Sequence, residues 1–385
     1  MKNRIVLIMK EDIVYYPPML SIINVLLELQ YQVIHIGAYS DALQKKGLEK
    51  KGVIFLPTIL YNGKQNNIQK FLQQITLRRQ IKNYLKQLQL SENDYVWIMQ
   101  AETICLLHSL VDKFRTILQC FEYVEPKLNW KYRLFAPTFS MGKTMKKAFK
   151  VVCCEYNRAQ ITKGVFQLER LPNVLPNKPY LDNEKFENIP DDIEVIVENV
   201  KDKVKGKRII LYQGVFLSKE RRLEEFCQAV QSMPDEYVFI AMGKSTPMYE
   251  DLKSKYASDR VIFIPFIRPP YHLLITQLAS IGVLSYFPNP TKMSSVLNPL
   301  YCAPNKIFEY AKYGIPMVSN DIPGLHYIYM EYRCGVSIQY PMTIQNIQNA
   351  INVVFDNYEM YSKGALSYYN SMDMKTLVRN ILSKK

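Results

Sequence analysis

The stretch PNKIFEYAKYGIPMVSND (residues 304–321) predicts a short helix followed directly by a strand. NKIFEYAKY has the apolar spacing of a helix, Gly314 stands where a left-handed C-cap residue is wanted, and IPMVS has the composition of a buried strand. The preceding segment ASIGVLSY (279–286) predicts another strand, with a long loop at 287–303. This order predicts a β-α-β crossover in a parallel sheet.

The N-terminus of this helix is expected at the carboxyl edge of the sheet. Exposed backbone N–H groups and the helix dipole attract anions such as phosphate there. Glu309 lies about one turn further in, where its carboxylate could accept hydrogen bonds from the hydroxyls of a nucleotide ribose. The competing interpretation is that Glu309 only complements the helix dipole, which contributes about 0.3–1 kcal/mol.

Strands and helices alternate along the whole chain. The first half contains the strands Ile5–Met9, 53–57, 95–99 and 151–155, with LSIINVLLELQ as a helix. After a segment rich in Pro and Asn, the pattern restarts with RIILYQG. At 385 residues the chain is long enough for two domains. We predict the α/β class, with two Rossmann-like, doubly wound domains at 1–185 and 186–364 that face a central cleft. A helix at about 365–385 could cross back to the first domain.

The net charge of +14 is concentrated in the first half of the chain. Residues 1–190 contain 27 Lys and Arg against 16 Asp and Glu, whereas residues 191–385 contain 22 against 19. This asymmetry suggests an anionic membrane or a nucleic acid as partner, or simply a solvated basic surface. The same alternatives apply to MGKTMKKAFK (141–150), where lysines alternate with Met141, Met145 and Phe149.

No apolar run reaches the roughly 18 residues needed to span a bilayer. The apolar part of the N-terminus is too short for a signal peptide. We therefore expect a cytoplasmic protein. The seven cysteines are odd in number and none has zinc-like spacing, which favours reduced thiols and no metal site.

Three segments together resemble the nucleotide-sugar-dependent, retaining family 4 glycosyltransferases of the GT-B fold. They are PNKIFEYAKYGIPMVSNDIPG, LYQGVFLSKERRLEEFCQAV (211–230) and VIFIPF…LASIGVLSY (261–286). The layout covers nearly the whole chain, and the motifs cover about 211–325. The resemblance implies an acceptor-binding first domain, a nucleotide-sugar-binding second domain and no metal or other cofactor.

The resemblance also implies transfer of a sugar from a UDP-linked donor, with retention of configuration. The expected acceptor is a lipid-linked, for example polyprenyl-linked, or growing envelope or capsular glycan. The expected location is the inner face of the plasma membrane, as a peripheral protein.

Site residues on the donor side are carried over from the resemblance. Glu309 matches the second glutamate of an E-x7-E pattern, which holds the ribose, whereas Tyr301 replaces the first glutamate and puts donor-sugar recognition in question. NPLYCAPNKIFEY (298–310) resembles a subset of such enzymes. Arg221 matches the basic residue on the diphosphate, although it could be a surface arginine. The other donor-side candidates are Gly214, Lys219, Gly243, Phe266, Ile267, Asn298, Asn305 and Lys306.

On the acceptor side the match is looser. Glu122 in CFEYVE stands where relatives have the acid of a His-Glu pair, with Phe121 in place of the histidine. It could orient the acceptor hydroxyl as a catalytic residue, or be a buried structural carboxylate. Glu102 and Asp12 are further candidates, and the loop KEDIVYYPP (10–18) lacks the glycines that relatives have.

Two other classes stay open. One is a non-catalytic protein that binds nucleic acid or nucleotides, although the basic residues are spread along the chain and no helix-turn-helix or zinc pattern occurs. The other is a GT-B phosphorylase or epimerase.

Overall fold

The computed structural model describes residues 3–60, 66–126, 136–180, 186, 189–218 and 220–383. Lys219, one of the donor-side candidates, lies outside the described residues. The chain divides into two units, Met1–Asp182 with Asp373–Lys385, and Asn183–Met372. The segment that returns to the first unit is therefore shorter than the expected 365–385.

The first unit contains a parallel sheet of seven strands in the order β3-β2-β1-β4-β5-β6-β7. The central strands are apolar on both faces, as burial between helix layers requires, and Leu7 lies opposite both His35 and Trp97. The strands are β1 Arg4–Ile8, β2 Gln32–Gly37, β3 Ile54–Pro57, β4 Tyr95–Met99, β5 Thr116–Cys120, β6 Lys150–Cys153 and β7 Asn173–Val174.

Helices cover this sheet. They are α1 Pro17–Glu28, α2 Ala42–Lys50, α3 Asn67–Leu88, α4 Ala101–Leu107, α5 Met141–Lys147, α6 Tyr156–Phe166 and, from the end of the chain, α16 Met374–Leu382. The last helix is held by packing against α1, by an ion pair between Lys375 and Glu28, and by the Tyr95 hydroxyl, which donates to the Leu382 carbonyl at 2.6 Å.

The basic segment 141–150 is only partly available to a membrane. Met141 and Met145 are 1% and 3% exposed because they pack in the core of the first unit, so these two side chains are not available to a membrane. Lys143, Lys146 and Lys147 are exposed. Any membrane contact of α5 therefore depends on its charges. In the part of the chain that the structure describes, no helix is both long and apolar enough to cross a bilayer.

The second unit contains a parallel sheet of six strands in the order β10-β9-β8-β11-β12-β13. The strands are β8 Arg208–Gln213, β9 Tyr237–Gly243, β10 Val261–Pro265, β11 Ile281–Leu284, β12 Met317–Asn320 and β13 Gly335–Ile338. The helices are α7 Asp191–Val204, α8 Glu224–Gln231, α9 Pro247–Tyr256, α10 Leu273–Thr276, α11 Met293–Leu300, α12 Asn305–Lys312, α13 Pro323–Tyr332, α14 Ile344–Asp356 and α15 Tyr358–Ser371.

The crossover predicted from residues 279–321 is confirmed. β11 pairs in parallel with β12, and Gly314 has a φ of +64°, the left-handed conformation that ends α12. Tyr310 is fully buried, its ring leaves no room for a side chain at Gly282, and its hydroxyl donates to the Leu211 carbonyl at 3.0 Å. This packing fixes α12 on the sheet.

The prediction that 287–303 is a long loop is wrong, because α11 forms within it. Its start is closed by Ser295, whose hydroxyl accepts from the Lys292 N–H at 3.0 Å. Pro299 lies in the last turn of the helix, where it removes a single backbone hydrogen bond.

All seven cysteines are free and buried. Among the described residues, no group of three or more His, Cys, Asp or Glu side chains is placed to hold a metal ion.

Candidate functional site

The start of α12 lies at the carboxyl edge of the second sheet, between β11 and β12 in the chain. The helix begins at Asn305 after Pro304, and the N-cap residue makes no side-chain hydrogen bond. The N–H groups of the first turn, including those of Asn305 and Lys306, are therefore left without a cap. Such a helix start attracts an anion through its N–H groups and its dipole.

Two largely buried cationic side chains lie beside this helix start. Lys306 is 9% exposed, and its Nζ lies 4.2 Å from the ring centroid of Tyr212 and 5.4 Å from that of Tyr286. The side chain of Arg221 is 12% exposed, with its guanidinium carbon 4.4 Å from the centroid of Tyr286. The two cations thus share one aromatic wall, and contact with aromatic faces offsets part of the cost of burying them.

These cations are poorly neutralised. Arg221 Nη1 donates to the Glu220 carbonyl at 2.8 Å and lies 3.7 Å from its carboxylate, but Arg221 Nε is buried without a hydrogen-bond partner among the described residues. Burial, and then the charge of Arg221, lower the pKa of Lys306 well below its usual value, although Glu309 opposes this. A bound anion would pair with the charge of Arg221 and would raise the pKa of Lys306 toward its usual value.

Glu309 lies inward of the helix start and is held as a carboxylate. Gln213 Nε2 donates to Glu309 Oε2 at 2.6 Å, and His272 Nε2 lies 3.2 Å from Oε1. Thr276 in turn donates to Gln213 Oε1 at 2.7 Å, which fixes the orientation of the amide. Burial disfavours the charge of Glu309, but His272, Gln213 and Lys306 outweigh it, so its pKa lies below the usual value.

Sequence reasoning missed Gln213 and His272. A polar residue at the end of a buried strand, directly before Gly214, is typical of a site at the carboxyl edge and could have indicated Gln213. No local pattern indicates His272. Its Nδ1 is buried and makes no hydrogen bond within the described chain. A carboxylate that only complements a helix dipole does not need buried hydrogen-bond partners. Gln213 and His272 therefore favour a binding role for Glu309.

Gly214 and Gly243 allow the β8–α8 loop to pass close to the cations. Gly214 has a φ of +141°, and a Cβ there would lie 3.0 Å from Lys306 Nζ. A Cβ on Gly243 would collide with the Gly214 carbonyl oxygen. The two glycines therefore pack backbone against backbone, and Gly214 alone adjoins the cationic site.

The other donor-side candidates surround this region less tightly. Phe266 follows β10 and is 45% exposed, with Lys244 Nζ 5.0 Å from its ring centroid, whereas Ile267 is 3% exposed. Asn298, on α11, and Tyr301, directly after it, are half-buried. A Cβ on Gly324 would lie 2.9 Å from Tyr301 Cα, so close packing against α13 fixes the backbone at Tyr301.

In the first unit, three glutamates follow neighbouring strands at the carboxyl edge. Glu11 follows β1, Glu102 lies in the first turn of α4 after β4, and Glu122 follows β5. Burial and the charges of these three glutamates raise the pKa of Tyr16 to about 12. Glu122 is exposed, so the alternative that it is a buried structural carboxylate is wrong. The structure thus brings Glu102 and Glu122 together around Tyr16.

Glu11 was not singled out by the sequence. Its Oε1 lies 3.4 Å from Lys10 Nζ, and its Oε2 is buried without a hydrogen-bond partner among the described residues. Burial raises its pKa, with a further contribution from Glu102 that Lys10 partly opposes. Glu11 therefore holds a proton more readily than an ordinary glutamate does.

Asp12, the next residue, has a structural role. It is 7% exposed and accepts from the N–H of Val14 at 3.1 Å and of Ser40 at 3.2 Å, which closes the 3₁₀ turn Ile13–Tyr15. These bonds hold the loop that carries Glu11.

Comparison with known proteins identifies the fold. No protein-family model matches the chain, and no curated protein sequence matches it either. Among solved structures, Anabaena HepE in complex with UDP is similar at 14% identity and a TM-score of 0.67, over 98% of both chains. WaaG, a glycosyltransferase involved in lipopolysaccharide biosynthesis, is similar at 12% identity and a TM-score of 0.59, over 98% of both chains.

A glycosyltransferase from Rickettsia africae ESF-5 is similar at 13% identity and a TM-score of 0.64, over 100% of this chain and 95% of that one. Together with the two parallel sheets, these likenesses show that the chain has the GT-B fold. The predicted fold class is confirmed.

Proposed function

We propose that the chain is a glycosyltransferase that moves a sugar from a nucleoside-diphosphate donor, a UDP-sugar, to a glycan acceptor. The observation that carries this proposal is a pair of largely buried, under-neutralised cations, Arg221 and Lys306, beside the uncapped start of α12. Glu309, held ionised one turn further in, supplies the contact to the ribose.

The chemical logic follows from the leaving group. Breaking the bond between the sugar and the diphosphate builds negative charge on the phosphate, and fixed cations and N–H groups stabilise that charge as it forms. Arg221, Lys306 and the N–H groups at Asn305 and Lys306 fill this role. We therefore propose that transfer requires no divalent metal or other cofactor.

The base and the sugar are assigned to the remaining donor-side residues. Backbone groups near Phe266 and Ile267 hold the base, and Asn298 and Tyr301 face the donor sugar, where Tyr301 replaces the glutamate of the family pattern. Uracil as the base is supported by HepE, whose structures were determined with UDP and with UDP-glucose.

The first unit supplies the acceptor side. Glu122 and Glu102 orient the acceptor hydroxyl, with Glu11 as a third carboxyl group in the same cluster, and Asp12 supports their loop. We propose retention of the anomeric configuration, with catalysis by charge stabilisation and positioning instead of a protein nucleophile. A lipid-linked or envelope glycan as acceptor, presented at an anionic membrane, agrees with the exposed lysines of α5.

A thermal-shift screen over nucleotide sugars tests the donor class. A ligand at about 100 times its Kd stabilises the folded state by about 2.7 kcal/mol, which raises the Tm of the wild type. Arg221→Ala should show a much smaller shift at the same ligand concentration. Arg222→Ala should retain the full shift, because the Arg222 guanidinium carbon lies 4.6 Å from the Phe287 ring centroid, away from the proposed site. No shift with any nucleotide sugar would contradict the proposal.

Product analysis then tests the reaction. An NMR spectrum of the product formed from the best donor should show the donor's anomeric configuration on a new glycosidic bond. A sugar 1-phosphate as product would establish a phosphorylase instead, and an epimerised donor would establish an epimerase.

A further inference from the structure

A cavity lies in the first unit, at the amino edge of its sheet. It has a volume of about 680 Å³ and is lined by the first residues of β6 and β7, the end of α5 and the turn 167–172. Because all the strands of this sheet are parallel, the cavity opens at the edge opposite to Glu11, Glu102 and Glu122. None of the residues assigned to glycosyl transfer lines it.

The cavity is cationic. Lys146, Lys150 and Arg170 line it, and Glu169 is the one acidic side chain among its described lining residues. Burial, together with the charges of Arg170 and the nearby Arg115, lowers the pKa of Lys150 below its usual value. The cations therefore repel one another, and an anion placed among them would relieve the repulsion.

One wall of the cavity is apolar. Phe149, Leu168 and Val151 contribute to it, and the latter two are 8% exposed. The Phe149 ring is in contact with two cations, the guanidinium carbon of Arg115 at 3.9 Å and Lys150 Nζ at 5.4 Å from its centroid. The cavity thus offers charge on one side and an apolar surface on the other.

We propose that this cavity binds an organophosphate, a phosphate or diphosphate ester. Its charged group lies among Lys146, Lys150 and Arg170, and its organic part lies against Phe149 and Leu168. The volume is within the roughly 300–1,000 Å³ that small-molecule sites occupy, and a few cationic groups on an apolar wall are the usual composition of such sites. The ester could be soluble, or it could be the headgroup of an anionic lipid.

The test compares two charge-reversal variants of equal net charge. Lys146→Glu with Arg170→Glu changes the cavity, whereas Lys143→Glu with Lys163→Glu changes residues of α5 and α6 that do not line it. Both are made in an Arg221→Ala background, so that the proposed donor site contributes little. Calorimetry with inorganic pyrophosphate should show affinity roughly tenfold or more weaker in the cavity variant than in the control.

A parallel arm identifies the source of the ester. Vesicles of phosphatidylglycerol and of phosphatidylcholine are sedimented with the same proteins. Pyrophosphate binding without vesicle binding establishes a soluble ester. Binding only to phosphatidylglycerol vesicles, lost in the cavity variant and kept in the control, establishes a lipid headgroup. Failure of both probes, or equal losses in both variants, overturns the proposal. If the double variant does not fold, the single substitution Arg170→Gln replaces it in both arms, because Arg170 is exposed and its loss should not disturb folding.

Discussion

Binding of a nucleoside diphosphate should cause Lys306 to take up a proton. In the free protein, burial and the charge of Arg221 lower the pKa of this ammonium group well below its usual value, which disfavours its charged form. A phosphate charge about 4 Å from Nζ would attract the ammonium form of Lys306 by about 4 kcal/mol at an effective dielectric constant of about 20. The pKa of Lys306 should therefore rise toward its usual value in the complex.

The assay is calorimetry with UDP at pH 8 in Tris and in HEPES, two buffers with different ionisation enthalpies. The difference in observed enthalpy gives the number of protons taken up, which should be greater than zero for the wild type. UDP itself is fully ionised at this pH, since the second phosphate pKa is about 6. Because the complex binds the extra proton, the affinity should fall with rising pH, by up to about tenfold per unit.

Two substitutions at Lys306 separate this effect from others. Lys306→Arg keeps a permanent charge and should bind UDP without proton uptake. Lys306→Met should bind weakly, again without uptake. The reasoning is refuted if the wild type takes up no proton, or if Lys306→Met takes up as many protons as the wild type.

Three further substitutions should have specific effects. Arg221→Ala should weaken UDP binding by about 1.5–3 kcal/mol, or roughly 10- to 150-fold, in calorimetry where Arg222→Ala changes little; equal losses in both would refute the assignment. Wild type should prefer UDP to 2′,3′-dideoxy-UDP, and Glu309→Gln should remove most of that preference in competition binding; an unchanged preference would show that Glu309 does not hold the ribose. Gly214→Ala should lower both the Tm and the UDP affinity, because its φ of +141° strains an L-residue and its Cβ would lie 3.0 Å from Lys306 Nζ; a variant with unchanged affinity would contradict the close approach.

The crossover in the second unit could be predicted because its determinants are local. The apolar spacing of α12, the left-handed Gly314 and the strand that follows lie within eighteen residues. α11 was missed because Pro299 and the polar residues before it suggested a loop. A proline in the last turn of an eight-residue helix costs only one hydrogen bond, and the bond from Lys292 to Ser295 stabilises the start.

The partners of Glu309 could not be predicted in the same way. Gln213 and His272 lie 96 and 37 positions away, and sheet order and packing bring them within hydrogen-bonding distance. Glu11 was missed for a similar reason. Its pKa is raised by burial in the folded chain and is modified by Lys10 and by Glu102, which follows a different strand of the same sheet. Motifs indicate single residues, whereas the charge balance of a site depends on the tertiary fold.

The central claim is that the second unit binds the nucleoside diphosphate of a sugar donor through buried cations. The most direct test is a calorimetric titration of the wild type with UDP in the presence of EDTA, beside a titration with single-stranded RNA. We predict one-to-one binding of UDP without metal, and weak, salt-sensitive binding of RNA at most. Tight RNA binding with no affinity for UDP would contradict the account.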